Sequence, residues 1–148
     1  MEILQTMKTI YVMCGLPRSG KSTYIEKFLN KYFILSADRL RKLVYGQRYF
    51  SFGEPLVWHI RQIILHELLD QSVSIVIDEI NVTRERRQPL IELGKKYGYR
   101  VICIWIQTPV DICTNREPEL KHVIEEKASK FEDPTLEEGF DEIGRFAP

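Results

Sequence analysis

The 148-residue chain predicts an α/β fold of three layers, with helices covering both faces of a central, mainly parallel sheet. Two observations carry this. Near-continuous apolar runs rich in strand formers, at 10–14, 73–77 and 101–106, alternate with longer stretches whose apolar residues recur at helical spacing. Strands apolar on both sides belong to parallel sheets buried between helices, and β/α alternation supplies the crossovers that parallel pairing needs.

The elements follow in order. A strand at 10–14 leads into a helix from Lys21 to about Lys31. A short strand at 32–35 is followed by a helix from about Arg39 to Tyr45 and a loop over 46–55. Residues 56–70 place Val57, Ile60, Ile63, Ile64, Leu65 and Leu68 on one side of an amphipathic helix, and the strand at 73–77 ends on Asp78-Glu79. Thr83 would cap the next helix, which stops at Tyr97-Gly98. Pro89 means that this helix either starts late, with the proline in its first turn, or bends there. A strand at 101–106, a short helix at 110–116 and a very polar helix at 121–131 complete the pattern. The tail from Glu132, with Pro134, Gly139, Gly144 and Pro148, reads as mostly irregular.

With 21 basic and 21 acidic residues the net charge is zero, which disfavours a protein that coats nucleic acid through bulk charge. Three cysteines without paired spacing (14, 103 and 113) indicate reduced thiols and a cytoplasmic location. No apolar run approaches the ~20 residues that cross a bilayer, so no membrane is expected as a partner. The N-terminal residues lack the pattern of a signal peptide. The length suits one domain spanning 1–148.

Residues Gly15-Leu16-Pro17-Arg18-Ser19-Gly20-Lys21-Ser22 spell G-x-x-x-x-G-K-S between the first strand and the first helix. This is the phosphate-binding loop of nucleoside-triphosphate enzymes, in the strand–helix setting its chemistry requires. Glycines permit a tight loop whose N–H groups surround a phosphate. Lys21 reaches the β- and γ-phosphates, Ser22 offers its hydroxyl to Mg²⁺, and Thr23 opens the helix. The expected partners are therefore ATP and Mg²⁺.

Ligands of such sheets lie at the carboxyl ends of the strands. The second strand end supplies Asp38, which would accept a proton from an attacking hydroxyl, or would share with Ser36 the capping of the next helix. Arg41, one turn later, would grip an acceptor phosphate or stand as a solvated charge. Asp78 ends an apolar strand, where a carboxylate holds Mg²⁺ directly or through water. Glu79 points the other way, and Asn81 would position the acceptor or order the loop. Arg84, Arg86 and Arg87 form a basic cluster, read either as an exposed helix start or as an acceptor-phosphate contact. Arg116, in a lid around 115–131, would cover the transferring phosphoryl group, unless it pairs with Glu117 or Glu119. Tyr45, Tyr49, Phe50, Phe52 and Trp58 cluster at the 46–55 loop, where they would stack a base or pack the loop.

In sequence these motifs resemble the polynucleotide 5′-hydroxyl kinases among the phosphate-loop kinases. The resemblance runs through 15–23, Asp38-Arg39-Leu40-Arg41, Ile77-Asp78-Glu79-Ile80-Asn81 with Arg84-Glu85-Arg86-Arg87, and the closing Phe131-Glu132-Asp133-Pro134-Thr135-Leu136-Glu137-Glu138-Gly139-Phe140. The chain departs from the family at Ile80, where threonine is usual, and in a lid with Arg116 as its one arginine. The resemblance implies transfer of the ATP γ-phosphoryl group to a 5′-hydroxyl nucleic-acid end. Asp38 would be the base, Arg41, Asp78 and Asn81 would bind the acceptor, and Lys21 and Arg116 would stabilise the moving phosphoryl group. A nucleoside, another small molecule or aminoacyl-tRNA is the alternative acceptor, and a nucleotide-dependent switch is the reading from a different class.

Overall fold

In the computed structural model, residues 7–46 and 51–148 are described. Five strands, β1 (Thr9–Cys14), β2 (Phe33–Leu35), β3 (Ile75–Ile77), β4 (Arg100–Ile106) and β5 (Glu142–Phe146), form one sheet in the order β2-β3-β1-β4-β5. Every pair is parallel. Helix α1 (Lys21–Tyr24) runs on as a wider π-turn over Ile25–Leu29. It is followed by α2 (Ala37–Tyr45), α3 (Glu54–Asp70), α4 (Arg84–Lys96), α5 (Val110–Arg116) and α6 (Lys121–Ser129).

The two sheet faces carry separate cores, as the apolar strands require. Val12, Cys14, Ile75, Ile77, Val101 and Cys103 pack with Leu65 and Leu69 of α3 and Leu90 and Ile91 of α4. Met13, Val76, Ile102, Ile104 and Ile106 pack on the other face with Ile25 and Leu29. β1 lies centrally, between β3 and β4, so the loop that leaves it emerges where the chain diverges to both halves of the sheet.

Several boundaries differ from the sequence reading. α2 starts at Ala37, two residues early, because the Ser36 side chain accepts a hydrogen bond from the Arg39 amide and caps it. The expected 46–55 loop is shorter, since Ser51–Gly53 forms a 3₁₀ turn and α3 opens at Glu54. Pro89 does not begin a late helix. The Thr83 cap, bonded to the Arg86 amide, starts α4 at Arg84 and leaves Pro89 in its interior. Burial of the neighbouring Leu90 and Ile91 offsets the intrahelical hydrogen bond that proline removes. The tail is not irregular: after a 3₁₀ turn at Leu136–Glu138, β5 adds a parallel edge strand. Its sequence, with Glu142, Gly144 and Arg145, is polar because an edge strand is only half covered. Tyr49 and Phe50 of the aromatic cluster, and the N-terminal residues 1–6, lie outside the described residues.

Among the described residues, no helix is long and apolar enough to cross a membrane. All three cysteines are free and buried.

At Gly94, α4 lies close against the sheet. A Cβ there would meet Val101 Cγ2 at 2.5 Å and Ile10 Cδ1 at 3.1 Å. Gly94→Ala is therefore expected to destabilise the protein. Overpacking of about 1–3 kcal/mol outweighs the gain in helix propensity of at most about 1 kcal/mol. Thermal unfolding checks this, and a raised Tm would mean that Val101 yields freely.

Candidate functional site

The loop after β1 is shaped by its glycines and by two hydrogen-bonded neighbours. The Gly15 amide donates to the Ile80 carbonyl (2.9 Å), tying the loop's start to the segment after β3. A Cβ on Gly15 would lie 2.7 Å from Ser19 Oγ and 3.2 Å from the Ile106 carbonyl oxygen, so only glycine fits. Gly20, at φ +106°, makes the left-handed step into α1, and Arg18 is also left-handed at +65°. The Thr108 hydroxyl, at the end of β4, donates to the Ser19 carbonyl at 2.6 Å. Ser19 Oγ itself is buried and without a partner among the described residues. Ser22 and Thr23 stand exposed in the first turn of α1.

Lys21 folds back over this loop, its Nζ donating to the carbonyls of Gly15 (3.1 Å) and Leu16 (2.8 Å). Desolvation pulls its pKa down to about 8, against the opposing charges of Asp78 and Asp38. Of the two sequence-predicted carboxylates, Asp78 is the stronger influence on this ammonium and Asp38 the weaker. Asp78 accepts no hydrogen bond from a described residue. Burial raises its pKa, while Lys21 and Arg39 counteract the rise.

Arg41 lies beside Asp38, with Nη1 2.6 Å from Oδ1, but its other two nitrogens form a fork on Glu54 at 2.8 and 2.7 Å. Arg41 and Trp58 together hold the Glu54 carboxyl below its usual range, the arginine being the stronger influence. Arg41 thus ties Asp38 to the start of α3. The Asn81 side chain is buried and donates to the Met13 carbonyl (2.8 Å), which is the loop-ordering reading of that residue.

Arg116 donates from Nη1 to the Arg18 carbonyl at 2.9 Å, while Arg18 Nε pairs with Glu117 at 3.1 Å. The end of α5 and the phosphate loop are so joined in both directions. The polar helix α6 rests on the same place: Ile124 is fully buried with Leu16, Val82 and Cys113.

The three clustered arginines part company. Arg84 stays exposed near Glu132 and Thr135. Arg86 lies over the Trp58 ring, 5.2 Å from its centroid, with Arg61 at 4.8 Å from the same ring. Arg87 is wholly buried, forked onto Glu138 at 2.8 and 3.1 Å. Both readings of Arg87, exposed helix start and acceptor contact, are overturned by this burial; the overlooked signal is the helical spacing that Arg87 shares with the inward-facing Leu90, Ile91 and Gly94. Glu79 is likewise forked by Arg61, at 2.6 and 2.8 Å. Sequence reasoning missed Glu54 and Arg61, because nothing in their neighbourhoods links them to partners 13 and 18 residues away.

The donor set suits Mg²⁺. Ser22, in the first turn of α1, and Asp78, at the end of β3, offer hard oxygens. Mg²⁺ characteristically needs few protein ligands when phosphates and water supply the rest.

A parallel sheet ordered 2-3-1-4-5 with a G-x-x-x-x-G-K-S loop after its central strand defines a phosphate-loop nucleotide-binding protein. A family model described as an AAA domain matches residues 10–138, and the chain belongs to that family. The 2′,3′-cyclic-nucleotide 3′-phosphodiesterase of Rattus norvegicus is 32% identical over 111 residues, covering 68% of this chain and 24% of that protein. The L-seryl-tRNA(Sec) kinase of Methanococcus maripaludis is 23% identical over 146 residues, covering 89% and 56%. The chain thus spans about a quarter of the first curated relatives it matches. A chain of the Pnkp1/Rnl/Hen1 RNA repair complex shares the fold, with a TM-score of 0.74 and 20% identity, covering 86% of this chain and 45% of that one.

Proposed function

We propose that the chain is an ATP-dependent kinase domain that transfers the γ-phosphoryl group to a hydroxyl, foremost the 5′-hydroxyl end of a polynucleotide. One observation carries the reading: β2 and β3 are neighbours in the sheet and β3 adjoins β1, so Asp38 in the first turn after β2 and Asp78 at the end of β3 lie on the carboxyl edge that carries the phosphate loop. A switch protein needs the loop and the Asp78 position, but has no use for a second, solvent-facing carboxylate. The Asp38 side chain is 57% exposed, open to an incoming acceptor.

In this mechanism the loop amides and Lys21 hold the β- and γ-phosphates, and Arg116 approaches from the α5 side. Asp38, oriented by Arg41, accepts the proton of the attacking hydroxyl as its oxygen bonds to the γ-phosphorus and the bond to the β,γ-bridging oxygen breaks. Ser22 and Asp78 would hold Mg²⁺, which supplies charge neutralisation along the phosphates. The 115–131 region, with Arg116 and helix α6, acts as the cover over the phosphate loop. Near-zero net charge suits an enzyme that grips only the last few nucleotides of its substrate. The buried, reduced thiols support a cytoplasmic setting.

The second reading keeps the chemistry and changes the acceptor to aminoacyl-tRNA or a small molecule. It is favoured by the seryl-tRNA kinase relative, whose match covers 89% of this chain. Incubation with γ-labelled ATP and 5′-hydroxyl DNA and RNA oligonucleotides, beside seryl-tRNA, nucleosides and small alcohols, decides between them. Label is expected on oligonucleotide 5′ ends. Label confined to seryl-tRNA or to a small molecule would move the assignment to the second reading, and label released only as phosphate would leave the switch.

A further inference from the structure

A buried arginine that takes no part in the proposed transfer raises a separate question. Arg87 is 0% exposed, and the Glu138 side chain that it forks is 2% exposed. A buried ion pair adds little net stability over an apolar pair of similar shape, but it fixes geometry wherever every donor is used. Here the donors point in a definite direction. Nε and Nη2 take the two oxygens of Glu138, while Nη1 donates to the Asn81 carbonyl at 2.9 Å and lies 3.9 Å from Cys14 Sγ.

Asn81 is the left-handed residue of its loop, at φ +48°. Its side chain donates to the Met13 carbonyl, and its own carbonyl also accepts from Cys14 Sγ at 3.3 Å. One residue earlier, the Ile80 carbonyl receives the Gly15 amide. Three of these bonds, Asn81 to the Met13 carbonyl, Cys14 to the Asn81 carbonyl and Gly15 to the Ile80 carbonyl, join the loop after β3 to β1 or to the first residue of the phosphate loop. At the other end, Glu138 closes a capping box with Thr135, so its carboxylate is held by the 3₁₀ turn of the tail.

We propose that Arg87 is a positioning residue for nucleotide binding: through Asn81 it fixes the start of the phosphate loop, and the segment 134–139 is the brace that holds Arg87 in place. This rests on the nucleotide-binding reading above and extends it to residues far from the phosphates. It gives part of the closing Phe131–Phe140 signature a function in the donor site although it touches no reacting atom.

The test measures the equilibrium affinity for Mg²⁺-ATP and for ADP together with the nucleotide-free Tm, for wild type, Arg87→Lys, Glu138→Gln and Tyr99→Phe. Tyr99→Phe removes part-buried hydrogen bonds to the Val73 and Leu68 carbonyls at the opposite end of the sheet, and controls for destabilisation alone. Both brace variants are expected to bind ATP and ADP at least tenfold more weakly, while Tyr99→Phe lowers Tm with unchanged affinity. Glu138→Gln keeps the shape of the side chain and serves if Arg87→Lys fails to fold. Brace variants that lose Tm but keep wild-type affinity would overturn the proposal. A wild-type protein that binds neither nucleotide would overturn the underlying nucleotide reading instead.

Discussion

Asparagine in place of Asp38 is expected to lower acceptor phosphorylation by about 10²–10⁴-fold, the span of a positioned general base, while nucleotide binding stays close to wild type. The substitution keeps the size of the side chain and an oxygen that Arg41 can still reach. It removes only the capacity to take a proton. Three features of the structure confine the damage to chemistry. Asp38 is the weaker of the two carboxylate influences on Lys21, so the ammonium at the phosphate loop is little altered. Arg41 retains its fork on Glu54, so α2 stays anchored to α3. The Arg41–Asp38 contact is half exposed on the aspartate side, and pairs of that kind contribute at most about 1 kcal/mol. Single-turnover transfer from labelled ATP, measured beside equilibrium ATP affinity, separates the two effects. Wild-type transfer by the variant would remove Asp38 as the base, and a parallel loss of ATP affinity would make it a donor-site residue instead.

Much of this architecture was legible in the sequence, for reasons that also explain where legibility stops. β1, β3 and β4 are buried on both faces, so apolarity alone marks them, although β3 is shorter than the expected 73–77 because Val73 and Ser74 are only half-buried. β5 is an edge strand whose side chains are partly solvated, and its Gly144 and charged neighbours read as loop. The phosphate loop is a local motif: its spacing encodes its shape, and Gly15 and Gly20 stand where a side chain or a right-handed backbone would not fit. Ion pairs between distant helices have no such local signature. Glu54 and Arg41 meet because α2 and α3 lie side by side, and Arg61 meets Glu79 because α3 packs on the sheet face that carries Ile75 and Ile77 of β3. Arg87 lies between these cases. Its inward helical phase was visible beside Leu90, Ile91 and Gly94, whereas Glu138 as its partner was not, since 51 residues separate them.

Lys21→Met is expected to lower phosphoryl transfer by about 10²–10³-fold, the loss seen when one preorganised donor to developing charge is removed. The pH dependence of wild-type binding identifies the cause. Lys21 titrates near 8 in the nucleotide-free protein, well below the ordinary lysine value of about 10.4, because the loop desolvates it. Bound phosphates favour the ammonium and raise that value. Below pH 8 the lysine is charged with or without nucleotide, and affinity should be flat. Above pH 8 binding must take up a proton, and affinity should fall by up to tenfold per pH unit. Stability of the nucleotide-free protein runs the other way. The folded lysine has the lower pKa, so between pH 8 and about 10.4 the unfolded chain binds more protons, and stability rises with pH. The difference between wild type and Lys21→Met isolates both slopes from other titrating groups. At neutral pH the methionine variant should also unfold at higher temperature without nucleotide, since it buries no charge. The wild-type loop holds a desolvated ammonium at a cost in stability that bound phosphate relieves, so a variant with wild-type pH slopes in affinity would remove Lys21 from the phosphates.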